Sequence, residues 1–415
     1  MRYRDNLPLA GANLIRMIYM LGLVIVLQLY MKELGASPFE ISLLEVMFWT
    51  GLFVFSPLWG AISDASGRRK VFLTASIVSA AAVIPFFAFA DTVWAVLGLR
   101  FGFAVLASAF PPVALASMSM GAEKKHRGRS LAPYHSSRAI GFLIGWGGAG
   151  ILLDAVGFTL TFYSLAAIGL LGFIVSLIIT DVDTPEEVSL EEVWGKAKRR
   201  WLPSRRDSSL RERGLNYLYL GIFIRKAGIL GLNSLVVVYA VESLGMSASV
   251  AGLLLALNPL LQLFFIDLFG VLVDRHGRKK IILLGFLGTV PAPLLISAAY
   301  SPWVFGLAYA LVGFSFAAVV QGTTAFIGDV APEKRQGELM GFRKSAQGLA
   351  GIVGPLTAGA VATLYGYEWM LYTVTGMIFL GFLVTWLGTS ETLDEKVDHI
   401  SVRKDLEETF SLLHW

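Results

Sequence analysis

Twelve apolar runs, each close to the roughly 20 residues that a helix needs to cross about 30 Å of hydrocarbon, occupy most of this 415-residue chain. They fall near residues 9 to 31, 41 to 63, 71 to 90, 93 to 118, 133 to 153, 158 to 180, 215 to 240, 248 to 273, 281 to 299, 303 to 327, 343 to 364 and 369 to 389. Hydrophobic residues make up 55% of the sequence and charged ones 15%, more apolar surface than a water-soluble core can hide. Transmembrane strands would be half as long and alternate in polarity, whereas these runs are uniformly apolar and carry Gly and Pro. The expected fold class is an all-α membrane protein with twelve transmembrane helices.

The chain is also built twice. Gly60-Ala-Ile-Ser-Asp64-Ala-Ser-Gly67-Arg68-Arg69-Lys70 returns 210 positions later as Gly270-Val-Leu-Val-Asp274-Arg-His-Gly277-Arg278-Lys279-Lys280, each copy between two apolar runs. Tyr30, Glu33 and Gly35 match Tyr239, Glu242 and Gly245, and Gly145, Gly150 and Gly157 match Gly354, Gly359 and Gly366. Two pseudo-symmetric six-helix bundles follow, 1–180 and 215–389, joined by a hydrophilic linker, 181–214, and ended by a tail, 390–415. A membrane protein duplicated in this way places its binding site where the halves meet.

Of the 34 Lys and Arg residues, Lys32 alone falls in a connection on the side away from the doubled motif. Lys and Arg are retained on the cytoplasmic side, so both termini are expected there, in a multi-pass protein of the cell membrane. The pI of 9.1 then reflects contact with the anionic inner leaflet rather than nucleic acid. The first run has no small-residue cleavage site and reads as a retained helix. With no cysteine in the chain, disulfides, thiolate catalysis and Cys-based metal sites are excluded. Thr184-Pro185-Glu186-Glu187 has the pattern of a capped helix start within the linker, and Val402, Leu406, Phe410 and Leu413 would share one face of a tail helix.

The doubled Gly-x-x-x-Asp-x-x-Gly-Arg-Arg/Lys resembles the signature of the major facilitator superfamily, and the likeness covers nearly the whole chain. On physical grounds Gly60 lets a neighbouring helix approach, and Asp64, four residues on, can meet the positive end of a facing helix. The resemblance implies a conformational latch made of Gly60, Asp64, Gly67 and Arg68 and of Gly270, Asp274, Gly277 and Arg278; a tight turn with positive-inside anchors is the plainer reading. Gly141 to Gly150 is similar to the Gly-Pro-x-x-Gly-Gly signature of the drug:proton antiporter branch, with Trp146 in the proline position, and Gly354-Pro355-Leu-Thr-Ala358-Gly359 keeps the form better. The small residues Gly145, Gly150, Gly354 and Gly359 would let the fifth and eighth runs, or the eleventh and second, cross closely, which ordinary packing also explains. Arg100 matches the arginine of the fourth helix in that branch, where it assists proton exchange.

Charges inside the apolar runs need a partner or water, because each costs roughly 2.5 to 3.5 kcal/mol at mid-membrane. Arg16, Glu45, Arg100, Arg225, Lys226 and Asp267 are the residues concerned. Depth along the helices suggests an outer pair, Glu45 with Arg100, and an inner pair, Asp267 with Arg225 or Lys226. Glu45, Asp267 and Arg100 are therefore the proton-coupling candidates. The first, fourth, seventh and tenth helices line the cavity in this family, and Arg16, Arg225 and Lys226 would draw an anionic or polar group into it. Arg16 and Arg225 resemble the paired arginines of the superfamily's organic-phosphate exchangers; snorkelling to headgroups is the alternative. Asn13, Tyr19, Asn233, Gln262 and Tyr309 add potential hydrogen bonds.

The sequence therefore implies a secondary transporter working by alternating access, a proton-coupled antiporter exporting amphipathic or anionic small molecules, functioning as a monomer without cofactor or metal. A proton symporter or anion exchanger for a polar metabolite, or a non-transporting sensor on the same fold, are the other readings. An enzyme is disfavoured, since no mid-span His, H-E-x-x-H or phosphate-binding loop is present.

Overall fold

A computed structural model describes residues 7–119, 127–180, 195, 212–332 and 335–393. The candidate helices at 184 and 402 lie outside these residues. Among the described residues, eleven helices are long and apolar enough to span a membrane. Five precede the linker: α1 (Leu7–Glu33), α2 (Pro38–Ser66), α3 (Arg69–Phe89), α4 (Val93–Met118) and the 44-residue Pro133–Ser176.

That longest helix is twice what one crossing needs, and its backbone leaves the helical region at Gly157, φ 74° and ψ 178°. A side chain is strained at such a φ, which glycine adopts freely. The chain folds back there: Gly145 and Leu165 both lie beside Gly22 of α1, while Gly141 and Gly172, farther from the break on either side, lie beside Met17 and Ile15. Residues 133–156 (α5) and 158–176 (α6) are therefore antiparallel, which makes twelve helices of membrane-spanning length among the described residues. Six further helices follow the linker: α7 (Leu215–Glu242), α8 (Ala248–His276), α9 (Arg278–Ser297), α10 (Pro302–Val330), α11 (Gln336–Tyr365) and α12 (Tyr367–Gly388).

Local sequence sets the helix ends. Ser37 and Glu40 form a reciprocal capping box at the start of α2, with Pro38 in its first turn, and Ser247 caps α8 by accepting from the Val250 N–H. Packing repeats the sequence duplication: α1 lies against α5 and α6 as α7 lies against α11 and α12. The small residues divide their work in the same way. Gly145 and Gly354 admit neighbours within a half, the backbone carbonyls of Ile18 and Ala227. Gly150 and Gly359 admit the other half, Ala248 of α8 and Ser42 of α2. Without a hydrophobic force between helices in lipid, such close backbone approach is what holds them together. Pro355, one residue after Gly354, is buried in the same α11 face.

Beyond α12 the chain returns to the second copy of the doubled motif. The Glu391 carboxylate accepts from the backbone N–H groups of Arg278 at 2.8 Å and Lys279 at 3.2 Å, the open first turn of α9, and from Thr392 at 2.9 Å. Lys279 Nζ donates to the Thr389 carbonyl at 2.6 Å, and Arg213 Nη1 to the Glu391 carbonyl at 2.8 Å. Partial burial pushes the Glu391 carboxyl up, but the backbone donors of Thr392, Leu393, Arg278 and Lys279 outweigh it and hold the group below the usual carboxylate range. With its folded pKa depressed, its stabilisation is fully present above the unfolded value, near pH 4.3, and is lost as pH falls through the folded value. Glu391→Gln is expected to speed amide exchange at Arg278, Lys279 and Thr392 about tenfold at neutral pH. It should also remove the acid-dependent loosening of that segment, both read by hydrogen exchange.

Candidate functional site

Two buried charges of the first six helices form a pair. Arg100 of α4 is 1% exposed, and its Nη2 lies 3.7 Å from Glu45 Oε1 on α2. The guanidinium also lies over the rings of Phe48 at 4.5 Å and Phe103 at 5.6 Å, and its other nitrogens have no hydrogen-bond partner. The second Glu45 oxygen accepts from the Trp49 indole N–H at 3.0 Å. Trp49, one turn further along α2, packs flat on Gly351 of α11 in the other half, where any side chain would displace it. A carboxylate held by one guanidinium thus touches the interface between the halves through one indole.

The other charges lie elsewhere than their depth implied. Asp267 pairs with neither Arg225 nor Lys226; it is exposed on the stripe of α8 that carries Phe264 and Leu268 and has no partner among the described residues. Equal height along two helices says nothing about which way each side chain turns. Arg225 is buried and donates to the Thr289 hydroxyl of α9 at 2.7 Å, with Phe286 5.1 Å from its guanidinium. Its repeat partner Arg16 is turned to α4, donating to the Ala107 carbonyl at 3.3 Å over Phe110 at 4.9 Å. Each arginine is thus held inside its own half. Lys226 lies within reach of the charge of Arg138 in the first half, its Nζ 5.4 Å from the Phe316 ring of α10.

The polar candidates act mostly as ties. Asn13 donates to the Tyr134 carbonyl and Ser137 hydroxyl of α5, and Gln262 to Asn258 one turn away. Tyr309 donates to the Asn233 side chain at 3.0 Å, and Gln28 of α1 donates to the Asn233 carbonyl at 2.9 Å across the halves. Tyr19 is fully buried against Phe103 with its hydroxyl unpartnered among the described residues.

Three cations that lie near helix starts were not singled out by sequence. Arg138 of α5 and Arg343 and Lys344 of α11 gather around Lys226, and Arg343 borders the same hollow as Lys226, Phe316 and Gln347. Their signal was available in the repeat, where Arg138 and Gln347 are partners, as are His135 and Lys344. The larger hollow, about 420 Å³, is an apolar groove between α5 and α8 walled by residues such as Ile144, Ile151, Leu253 and Leu257.

The two copies of the motif hold different partners. Gly67 ends α2 with φ 66°, and Asp64 pairs with Arg69 at 3.1 Å; Gly60 is buried. In the second copy Arg278 bridges Asp274 at 3.3 Å and Asp329 of α10 at 2.8 Å, and the backbone turns at Gly277, φ 98°. Gly270 has only the Gln321 carboxamide nearby.

At the opposite end the halves are fastened by a repeated device. Asp154, at the end of α5, accepts from the Ser249 N–H at 2.7 Å and from its hydroxyl, in the open first turn of α8. Its repeat partner Thr363, at the end of α11, accepts from the Phe39 N–H at 2.9 Å in the first turn of α2. Lys32 and Glu242 form an ion pair at 2.5 Å beside them, joining α1 to α7. The Ser249 and Phe39 N–H groups are among those that a helix start leaves without an intrahelical partner.

A family model described as Major Facilitator Superfamily matches residues 9–224 and again 218–413. The chain is 23% identical over 377 residues to a multidrug resistance protein, MdtG, of Citrobacter koseri, covering 87% of this chain and 88% of that one. Its fold is similar to that of a mutant of the nucleoside transporter NupG, with a TM-score of 0.77 at 13% identity over 93% of this chain and 100% of the other. A bacterial homologue of the human lysosomal transporter Spinster, crystallised inward-facing and unoccupied, gives a TM-score of 0.73 at 14% identity over 94% and 97%.

Loss of the caps at the closed end has a direct readout. Asp154→Ala combined with Thr363→Val removes about 1–3 kcal/mol of contact from each helix start, enough to move a two-state opening about tenfold or more. Spin labels on the Asp154 and Thr363 ends of α5 and α11 and on α8 and α2 should show a larger open population, while the single Lys32→Ala should change it less than threefold.

Proposed function

The chain belongs to the Major Facilitator Superfamily and is a multi-pass membrane transporter, and we propose that it exports amphipathic or anionic small molecules in exchange for protons by alternating access. The two six-helix halves, 1–180 and 215–389, rock about their interface, with the Asp64 and Asp274 loops and both termini in the cytoplasm. The observation that carries the proton coupling is the Glu45–Arg100 pair, 3.7 Å apart and buried, with Trp49 leading from it to Gly351. Burial favours a neutral carboxyl and the guanidinium an ionised one, so such a group can hold or release a proton as its surroundings change. Protonation frees Arg100 and alters the acceptor of the Trp49 N–H, and Trp49 meets α11 where the halves must part. The relatives named for multidrug resistance support export as the direction.

Asp267 supports the coupling role less well, being exposed and away from any cation. An anion exchanger is the second reading, favoured by the unpaired cations on α5, α7 and α11. It needs no titrating carboxylate, and that difference decides between the two.

In proteoliposomes with an imposed pH gradient, Glu45→Gln should reduce gradient-driven uptake of ethidium or anilinonaphthalene sulfonate about tenfold or more, while downhill exchange without a gradient continues. Full gradient-driven transport by Glu45→Gln would remove the carboxylate from the mechanism and leave the anion exchanger. Arg100→Gln should impair both modes, since it leaves Glu45 buried without its cation.

A further inference from the structure

Several cations among the described residues have a carboxylate partner. Arg100 has Glu45, Arg278 has Asp274 and Asp329, Lys32 has Glu242, and Arg335 has Glu338. The group around Lys226 has none among the described residues. The charges acting on Lys226 are those of Arg225, Arg138 and Lys344, and those acting on Lys344 are Arg343 and Arg138. Among the described residues no carboxylate acts on Arg138, Lys226, Arg343 or Lys344. Arg138 belongs to the first half and the others to the second, so the cluster straddles the interface. Lys344 is exposed at the protein surface although it lies eight residues into α11, about 12 Å from its start.

The four differ in what holds them. Arg343 is committed to its own half, its Nη1 donating to the Thr323 and Thr324 hydroxyls at 3.0 and 2.9 Å. Arg138 and Lys226 have only aromatic rings, Phe142 at 5.6 Å and Phe316 at 5.4 Å. Lys344 has no partner among the described residues. Three cations without counter-charge repel one another, and a monoanion would leave two of them unmatched. A group with two negative charges and several oxygens leaves only one of them unmatched, with the planar fork of Arg138 and the point charges of two lysines as donors.

We propose that Arg138, Lys226 and Lys344 form a recognition site for the dianionic group of an amphipathic ligand, a phosphate or phosphonate monoester, whose apolar part lies on Phe316. This rests on the transporter reading above and names the substrate class of its central space. Because the donors come from both halves, the bound dianion would draw α5 towards α7 and α11. The same chemistry occurs in a free aryl phosphate and in a phosphatidic acid headgroup, and the two reach the site from different phases.

The test uses the full chain in neutral detergent, with phenyl phosphate, benzoate, phenyltrimethylammonium and dihexanoyl phosphatidic acid as probes in calorimetric titration. Phenyl phosphate is expected to bind at least tenfold more tightly than benzoate, and phenyltrimethylammonium not to bind. Lys344→Gln and Arg138→Gln should each weaken phenyl phosphate about tenfold, and Lys32→Gln should not. In the absence of any probe, Lys344→Gln should raise the unfolding temperature, because it removes repulsion; a lysine serving only the fold would lower it. Competition by dihexanoyl phosphatidic acid marks a lipid source, and its failure a water-soluble one. Equal binding of benzoate and phenyl phosphate, or unchanged binding in both variants, would overturn the site. Proton coupling is read from gradient-driven uptake by Glu45→Gln and anion recognition from phenyl phosphate binding by Lys344→Gln and Arg138→Gln, so the two can fail separately.

Discussion

The hydrocarbon layer offers no water, and that single condition organises the rest of this protein. Backbone groups must be satisfied within each segment, so every described span is helical. Helices surrounded by lipid gain nothing from hydrophobic burial against one another, and what remains is close van der Waals approach. The duplication shows this with unusual clarity. Gly145 and Gly354 bring backbone against backbone inside each half, while Gly150 and Gly359, five residues on, do the same between halves. One helix face therefore stabilises a bundle, and a neighbouring position on the same helix sets how tightly the two bundles can close.

Polar groups obey the same condition and break the symmetry. Arg16 and Arg225 are repeat partners, yet one reaches a carbonyl of α4 and the other a hydroxyl of α9, because the adjacent helices offer different acceptors, Ala107 and Thr289. Among the described residues the first half alone buries a carboxylate with its arginine, Glu45 with Arg100. In the second half the place of Arg100 is taken by Tyr309, which binds Asn233 instead. The first half thus carries the group proposed to exchange a proton, and the second supplies most of the positive charge that has no carboxylate among the described residues.

Much of this was legible in the sequence. The apolar runs gave helix ends within a few residues of those observed, since length and hydropathy are local properties: 71 to 90 against Arg69–Phe89, and 93 to 118 against Val93–Met118. The outer pair of Glu45 and Arg100 was also readable, because α2 and α4 are neighbours and both residues lie on buried faces. Asp267 was misplaced next to Arg225 and Lys226 because depth is a one-dimensional measure, and the rotation of α8 about its axis turns that carboxylate away from α7. Arg138, Arg343 and Lys344 were passed over for a related reason. Close to the starts of their helices they look like positive-inside anchors, and only the convergence of α5, α7 and α11 shows that they meet.

The two ends of the molecule solve one problem with different chemistry. At the closed end, Asp154 and Thr363 satisfy helix starts across the interface, so opening there exposes backbone N–H groups to water, which can replace the lost acceptor. The cost of separation is then modest, as a gate requires. At the other end, Arg278 is fixed by Asp274, Asp329 and, through its backbone N–H, Glu391, all within the second half. Those contacts need not break when the halves part, and they keep α9, α10 and the chain beyond α12 moving as one body. A rigid second half and a weakly fastened outer seam leave the Glu45–Trp49–Gly351 contact as the place where a change of charge can shift the balance. It lies between the seam and the cation cluster along α11, so in the proposed cycle a proton on Glu45 and an anion beside Lys226 would act on one interface from two sides.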